Sequence, residues 1–384
     1  MLNRTFIFLL LTLGGALCAV AEDFRFNHGP YLQNVSSEGA VVYFTTSEKA
    51  FSWVEVVCDE WEEPKRFYSC DAGLLQAYNT SNSVEISGLK AGYSYRYRLV
   101  AKQMNEFRPY KIVYGDSIAT QWESFTTLKP KIDKSSFVVI NDGHDNAKKV
   151  QTLLEFSSLD SADAVIYLGD MVSHIENADA PYKGFIDVSV EMFARNKPFI
   201  AVRGNHETRG NLGRMYGNYV ARPNGKYYNI YYYGETALIV LDTGEDKPDT
   251  HPVYGGITVF DDYRREQASW LEKEIKSKRF AKTRNRVVFM HIPPIVPYED
   301  KSPEGHAIKE LNSLFVPLFN EAAVDLVVSG HTHRHFVIEK GVAGNKFPVV
   351  INDHRSVLDL SVEKNDIRVK ITDEKGEIIL NKNF

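Results

Sequence analysis

Histidine, aspartate and asparagine side chains collect in five short segments, each directly after an apolar run. The residues concerned are Asp142 and His144, Asp170, Asn205 and His206, His291, and His331 and His333. Glycines flank most of these segments, and glycine allows the backbone to approach a ligand closely. A donor set of imidazole and oxygen ligands without thiolate suits zinc, manganese or iron better than magnesium or calcium. The residue types therefore predict a metal site assembled from distant parts of the chain.

Five short apolar runs precede these segments and have the composition of buried strands. The runs are 136–140, 164–168, 199–202, 286–290 and 324–328. Such runs are typical of strands covered on both faces in an α/β sheet, and ligands bind at the carboxyl ends of those strands. Between them lie amphipathic stretches such as 264–276, which predict helices. We therefore expect an α/β domain whose strand ends bring the polar segments together.

The first part of the chain has a different pattern. The segments 40–44, 52–57 and 93–100 are rich in β-branched and aromatic residues, and several alternate in polarity as half-buried strands do. Turn-forming residues at 87–92 separate two such segments. This pattern predicts an antiparallel β-sandwich over 22–129, followed by the α/β domain over 133–384.

The five polar segments resemble, in chain order, the blocks of the calcineurin-like metallophosphoesterase superfamily, which read D-x-H, G-D, G-N-H-[E/D], H and G-H-x-H. The segments 29–33, 88–92 and 124–128 resemble a fibronectin type III-like domain, and more particularly the N-terminal sandwich of purple acid phosphatases. The resemblance implies an α/β fold in which a two-sheet metallophosphoesterase sandwich is flanked by helices. An all-β fibronectin III-like sandwich would precede it.

The same resemblance implies two divalent metal ions, of manganese, zinc or iron, with Asp170 as the carboxylate that bridges them. The remaining ligands would be Asp142, His144 and His333 at the first ion, and Asn205, His291 and His331 at the second. A water bound between two such ions is acidified from a pKa of about 15.7 toward about 7. We therefore expect attack on the phosphate ester by a metal-bridging hydroxide, without a covalent protein intermediate.

Three further residues are candidates for contact with the substrate. By resemblance, His206 would be the general acid toward the leaving oxygen or a stabiliser of transition-state charge, the alternative being a histidine that only orients a ligand. His306 lies after the segment 291–294, where related phosphatases often place a histidine of the substrate pocket. Arg203 precedes Gly204 and would contact phosphate, with a structural ion pair as the alternative.

Two positions depart from the purple acid phosphatase pattern. Where those enzymes have the tyrosinate that binds ferric iron, this chain has Ser173, and His144 stands where their first block has glycine. The ligand set therefore resembles that of the colourless calcineurin-type enzymes.

The N-terminal residues 1–21 have the layout of a cleaved secretory signal. Arg4 precedes the apolar run 6–13, and small residues end the segment at Ala21. An N-terminal membrane anchor is the alternative, but the run is too short to span about 30 Å of hydrocarbon. We expect a secreted or periplasmic protein without a transmembrane segment after signal removal. In such a compartment Cys58 and Cys70 are expected to form a disulfide, the alternative being two free thiols.

Composition excludes several other classes of protein. The 384 residues include 45 Lys and Arg against 50 Asp and Glu, a net charge of −5, so no basic surface for nucleic acid is evident. Three cysteines cannot supply a four-thiolate zinc site. The expected function is hydrolysis of a phosphate-ester substrate, of acid phosphatase or phosphodiesterase type. The alternative is a non-catalytic extracytoplasmic binding protein on a relic scaffold, against which the intact ligand set argues.

Overall fold

The computed structural model describes residues 23–364 and 366–384; the predicted signal segment 1–21 lies outside the described residues. The first part of the fold is all β. Its strands are β1 (Tyr31–Gln33), β2 (Ala40–Val57), β3 (Lys65–Phe67), β4 (Cys70–Asp71), β5 (Leu74–Leu75), β6 (Ala77–Ile86), β7 (Ser94–Arg108), β8 (Lys111–Ala119) and β9 (Glu123–Thr126).

The long strand β2 organises this part of the molecule. Its first half pairs with β1 and β6, and its second half pairs with β3 and β7, always antiparallel. Apolar side chains of both halves, such as Val42 and Val54, pack in one core with Tyr97 and Phe125. The antiparallel arrangement agrees with the prediction, whereas the fibronectin type III-like character of these strands stays a prediction.

The predicted disulfide between Cys58 and Cys70 is wrong, because both residues are free thiols in the described structure. Cys58 follows β2 and is buried in the N-terminal core. Cys70 lies in the two-stranded ribbon of β4 and β5 and is exposed. Closeness in sequence does not bring the two sulfurs together, because one points into the core and the other lies at the surface.

The second part of the fold is α/β. Its strands are β10 (Lys134–Ile140), β11 (Ala164–Leu168), β12 (Phe199–Val202), β13 (Asn229–Tyr233), β14 (Thr236–Leu241), β15 (Asn285–Met290), β16 (Leu326–Ser329), β17 (Phe336–Ile338), β18 (Val349–Ile351), β19 (Ser356–Glu363), β20 (Asp366–Asp373) and β21 (Ile378–Asn383). Its helices are α1 (Ala147–Glu155), α2 (Asp187–Ser189), α3 (Phe260–Glu274) and α4 (Gly305–Glu321), with π-helical turns at Tyr182–Ile186 and Val190–Ala194 on either side of α2.

These strands form two six-stranded sheets, in the orders β12-β11-β10-β19-β20-β21 and β13-β14-β15-β16-β18-β17. Strands β10 to β12 are parallel to one another, as are β14, β15, β16 and β18. The sheets face each other across a core that includes Val139, Ile166, Val240 and Phe289. Helix α1 and the π-helical segment cover one outer face, and α3 and α4 cover the other. The predicted α/β fold of two sheets flanked by helices is confirmed.

Strand β1 connects the N-terminal part to the α/β part through hydrogen bonds. The hydroxyl of Tyr31 and Nε2 of Gln33 both donate to the carbonyl of Tyr219, each at 3.0 Å, and Oε1 of Gln33 accepts from the amide of Ala221 at 2.7 Å. The two bonds to the carbonyl of Tyr219 are buried, so water does not compete for them. In the part of the chain that the structure describes, no helix is long and apolar enough to cross a membrane.

Candidate metal centre

The polar segments predicted from the sequence meet at the carboxyl ends of five strands. Segments 141–144, 170 and 205–206 follow β10, β11 and β12 of one sheet. His291 and the segment 331–333 follow β15 and β16 of the other. Because the two sheets face each other, their strand ends converge on one site.

Six of the seven predicted ligands form two groups whose donor atoms lie within 4.8 Å of one another in each group. One group is Asp142, His144 and His333, and the other is Asp170, His291 and His331. In the first group, Nε2 of His333 lies 3.1 Å from Oδ1 of Asp142. In the second, Nε2 of His291 lies 3.0 Å from Oδ2 of Asp170. The groups adjoin, because Nε2 of His291 also lies 4.0 Å from Oδ1 of Asp142.

Several of these ligands sit on backbone in the left-handed region. Asp142, His144, Asp170, His331 and His333 all have φ between 47° and 69°. Side chains other than glycine rarely adopt this conformation, although Asp and His do so more readily than most. Such outliers persist only where surrounding structure over-determines them, and they cluster at functional sites.

Buried hydrogen bonds hold these turns in place. The fully buried carboxylate of Glu207 accepts from the backbone amides of Asp170 at 2.9 Å, Met171 at 2.7 Å and Gly204 at 2.8 Å. Burial and the charge of Asp170 raise the pKa of Glu207 to about 7. This side chain ties the turn after β11 to the turn after β12, which fixes the position of Asp170.

A second network holds the first group. Nδ2 of Asn141 donates to Oδ2 of Asp142 at 2.7 Å, and Nδ2 of Asn352 donates to Oδ1 of Asn141 at 2.8 Å. The backbone amide of His331 also donates to Oδ2 of Asp142, at 3.0 Å. The other oxygen of Asp142, Oδ1, faces the histidines. One carboxylate oxygen therefore accepts the bonds of this network, and the other is directed at the candidate metal donors.

Electrostatics separates the charged groups Asp142, Asp170 and His291 from the neutral imidazoles of His144 and His331. Burial alone would raise the pKa of Asp142, but the hydrogen bond from His333 and the charge of His291 hold it well below its usual range. Burial opposes charge on His291 as well, yet Asp170 and Asp142 raise its pKa to about 10. Burial lowers the pKa of His144, and burial with the charge of His291 lowers that of His331, to about 4 in each case. Neutral imidazoles keep a lone pair for a cation.

The residues present fit a metal centre. Oδ1 of Asn205 is a buried polar atom that forms no hydrogen bond with any described residue. Leaving such an atom unsatisfied costs about 1–3 kcal/mol, and a cation in reach would satisfy it. The backbone also makes room: a Cβ on Gly204 would lie 2.2 Å from Oδ1 of Asp170. Nδ1 of His291 donates to the carbonyl of Leu168 at 2.7 Å, which aims Nε2 into the site.

His206 lies at the edge of this centre, in a short turn (His206–Thr208) after the strand end. Its Nδ1 is 2.7 Å from the carbonyl oxygen of Ser173, and its Nε2 is 2.8 Å from Nη1 of Arg209. A carbonyl only accepts and a guanidinium only donates, so Nδ1 carries the proton and Nε2 is the acceptor. The ring of His144 stands 4.7 Å away, centroid to centroid. His206 therefore lies next to both the candidate ligands and the guanidinium of Arg209.

Two predicted substrate residues lie elsewhere. His306 is not on a loop but in the first turn of α4, where Nε2 is 3.0 Å from Oδ1 of Asp261. With Glu310 these residues form a third metal-like group, but Nη1 of Arg264 already bonds Asp261 at 2.8 Å and Glu310 at 2.7 Å. This group is an ion-pair network between α3 and α4. The structure does not bring His306 into the metal centre.

Arg203 forms an ion pair, which was the alternative to a contact with phosphate. Its Nη2 lies 2.6 Å from Oδ2 of Asp242, and its guanidinium stands 4.1 Å over the ring of Tyr227.

Glu207 and Arg209, which support the site, were not identified from the sequence. Glu207 belongs to the G-N-H-[E/D] block and so carried a signal, whereas nothing in the spacing indicated the contact of Arg209 with His206.

Comparison with known proteins supports the same assignment of the α/β part. A family model described as calcineurin-like phosphoesterase matches residues 135–335. No curated protein matches the chain. The structure of purple acid phosphatase PPD1 from yellow lupin (Lupinus luteus) seeds is similar at 15% identity and a TM-score of 0.67, over 92% of this chain and 73% of that one. A structure of PhoD is similar at 13% identity and a TM-score of 0.59, over 94% and 90%. At these identities the likeness concerns the fold.

Proposed function

The chain belongs to the calcineurin-like phosphoesterase family, and from that premise we propose that it hydrolyses phosphate esters at a centre of two divalent metal ions. One observation carries the proposal: two adjoining groups of three donor residues meet at the strand ends, on turns that buried hydrogen bonds hold in place. A scaffold that had lost its activity would be expected to have lost at least one of these donors. All seven are present.

The proposed ligands are those expected from the family pattern. Asp170 is the shared carboxylate, and the others are Asp142, His144 and His333 for one ion, and Asn205, His291 and His331 for the second. When bound, two such ions supply Lewis-acid charge to the phosphoryl group and a nucleophile at neutral pH. The mixed nitrogen and oxygen donors favour manganese, zinc or iron.

His206 and Arg209 act on the leaving oxygen in this proposal. His206 gives a proton to that oxygen or stabilises its developing charge. Donation from Nε2 requires that Arg209 first move away and that Nε2 take up a proton from solvent, because Nη1 of Arg209 now donates to that nitrogen at 2.8 Å. While Arg209 stays, its guanidinium is a cation beside this position, which favours the stabilising role.

We also propose the finer assignments that the sequence suggests. The layout of residues 1–21 supports secretion or a periplasmic location. The antiparallel strands of residues 22–129 support a fibronectin type III-like domain, ahead of a metallophosphoesterase domain over 133–384. Strand β1 bonds to the segment 219–221, so the first domain steadies the second.

The test is a hydrolysis assay with p-nitrophenyl phosphate and bis-p-nitrophenyl phosphate in parallel. A strong chelator should abolish activity, and manganese or zinc should restore it. The reason is that, in this proposal, the nucleophile is available only when the metal ions are bound. Asp170→Asn should be inactive after reconstitution, whereas Asp116→Asn, on the exposed face of β8, should match the parent protein. Full activity in demetallated protein, or no hydrolysis of either ester after reconstitution, would refute the proposal. The preferred ester assigns the enzyme to the monoesterase or diesterase type.

A further inference from the structure

A cavity of about 790 Å³ opens beside His206. Arg209 lines it and also contacts Nε2 of His206, so the cavity begins one side chain away from the proposed site of proton transfer. Its walls come from the turn at 208–214, the segment 225–227 before β13, and the loop 245–260 that leads into α3. Pockets of about 300–1,000 Å³ are the size that holds small organic ligands.

The mouth of this cavity is apolar. Val253, Ile257 and Val259 line it with 67%, 68% and 70% of their surfaces exposed. Gly255 and Gly256 lie between them with φ of 59° and 71°, a backbone conformation that favours glycine. Three exposed aliphatic side chains within seven residues mark a surface that an apolar ligand would cover.

The interior is aromatic and its charges are already paired. Four rings contribute to the wall: Tyr227, Tyr254, Phe260 and Tyr263. The cations are matched by carboxylates, namely Arg203 with Asp242 at 2.6 Å, Arg209 with Glu245 at 2.9 Å, Lys247 with Asp246 at 3.0 Å and Lys226 with Glu266 at 2.6 Å. The remaining cation, Arg214, is exposed at the rim and lies 3.4 Å from the carbonyl of Ile257. An uncharged aromatic group suits these walls better than a second anion.

We propose that this cavity receives the leaving group of the substrate and that this group is uncharged and aromatic. The inference rests on the proposed phosphoesterase activity. In hydrolysis, the oxygen of water bonds to phosphorus and the bond from phosphorus to the ester oxygen breaks. That oxygen takes a proton and departs as a phenol. Because His206 serves the leaving oxygen, the group attached to that oxygen lies toward Arg209 and the cavity.

The test compares 2-naphthyl phosphate with phenyl phosphate, whose leaving oxygens are of similar basicity and differ in apolar size. The metal-reconstituted protein should prefer the naphthyl ester by about 10-fold in kcat/KM, since apolar contacts of this size discriminate about 10–200-fold. The double variant Ile257→Ser/Val259→Ser should lose most of that preference, mainly through a higher KM. The control Val342→Ser/Ile378→Ser removes similarly exposed aliphatic side chains that do not line the cavity. This control should keep the preference for the naphthyl ester.

Three results would overturn the inference, and they distinguish its failure from the failure of the phosphoesterase proposal. If both esters are hydrolysed with equal kcat/KM, or if the Ile257/Val259 variant keeps the full preference, the cavity does not hold the leaving group and the phosphoesterase proposal stands. If protein with confirmed metal content hydrolyses neither of these esters but does hydrolyse bis-p-nitrophenyl phosphate, the leaving-group assignment fails alone; if it hydrolyses no ester at all, the phosphoesterase proposal fails with it. Product inhibition by 2-naphthol, weaker in the Ile257/Val259 variant than in the control, provides an independent reading of occupancy.

Discussion

Replacing Glu207 by glutamine should destabilise the protein strongly, although the change is nearly isosteric. The two carboxylate oxygens of Glu207 divide the amides of two turns between them. Oε2 accepts from Asp170 and Gly204, while Oε1 accepts from Met171 at 2.7 Å and from Val172 at 3.4 Å. Glutamine offers one acceptor oxygen, and its NH₂ group can only donate. In either orientation, therefore, two backbone amides face a donor.

The size of the effect follows from these contacts. A buried donor without a partner costs about 1–3 kcal/mol, so two of them predict a loss of about 2–6 kcal/mol. That loss is a large part of the total stability of a typical domain, about 5–15 kcal/mol. The same two turns carry Asp170 and Asn205, so we also expect the Glu207→Gln protein to retain less metal after purification.

Urea unfolding followed by circular dichroism measures the loss of stability, with chelator present so that metal binding does not contribute to the difference. Glu363→Gln, at the exposed end of β19, is the matched control and should unfold like the parent protein. If Glu207→Gln differs from the parent by less than about 1 kcal/mol, the two oxygens do not hold the turns as argued.

Three further predictions concern the metal centre and the domain contact. The Asp170→Ala protein should lose bound metal, whereas the His206→Ala protein should keep its metal and have a turnover roughly 10²–10⁴-fold lower. Metal analysis of the two variants tests this, and a metal-free His206→Ala protein would contradict the assignment. Iron-loaded, oxidised protein should be colourless because Ser173 has no phenolate for charge transfer, so an intense visible absorption band would refute a calcineurin-type ligand set. Gln33→Leu should lower the free energy of unfolding by about 1–3 kcal/mol, since it leaves the amide of Ala221 without its partner; unchanged urea unfolding would show that this contact does not stabilise the protein.

The candidate ligand residues could be identified in the sequence because each lies shortly after a strand. Apolar runs indicate strands, strand ends in α/β sheets collect at one edge, and the order of the five blocks is specific. That Asp142 and His333, which are 191 residues apart, lie at the same edge follows from that rule, whereas their pairing at one ion is implied by the family resemblance. What the rule leaves open is which strands share a sheet: β10, β11 and β12 lie in one sheet, and β15 and β16 lie in the other.

Contacts that depend on packing between elements could not be predicted in the same way. His306 meets Asp261 because α4 lies against α3, and neither sequence periodicity nor a motif encodes that packing. The contact of Arg209 with His206 depends on a short turn that brings a side chain three residues away back toward the ring. Cys58 and Cys70 lie in neighbouring segments of the chain, but Cys58 is buried in the core and Cys70 is exposed.

The backbone of the metal centre explains why so much buried hydrogen bonding surrounds it. Glycine would adopt the left-handed conformation of Asp142, Asp170 and His331 without strain, but glycine has no ligand atom. The site therefore uses side chains that can bind metal where the backbone disfavours them, at a cost of about 1–2 kcal/mol each. Glu207 and Asn141 offset this cost through hydrogen bonds between protein groups. The buried network is therefore what keeps these turns in the conformation that brings the candidate donors together.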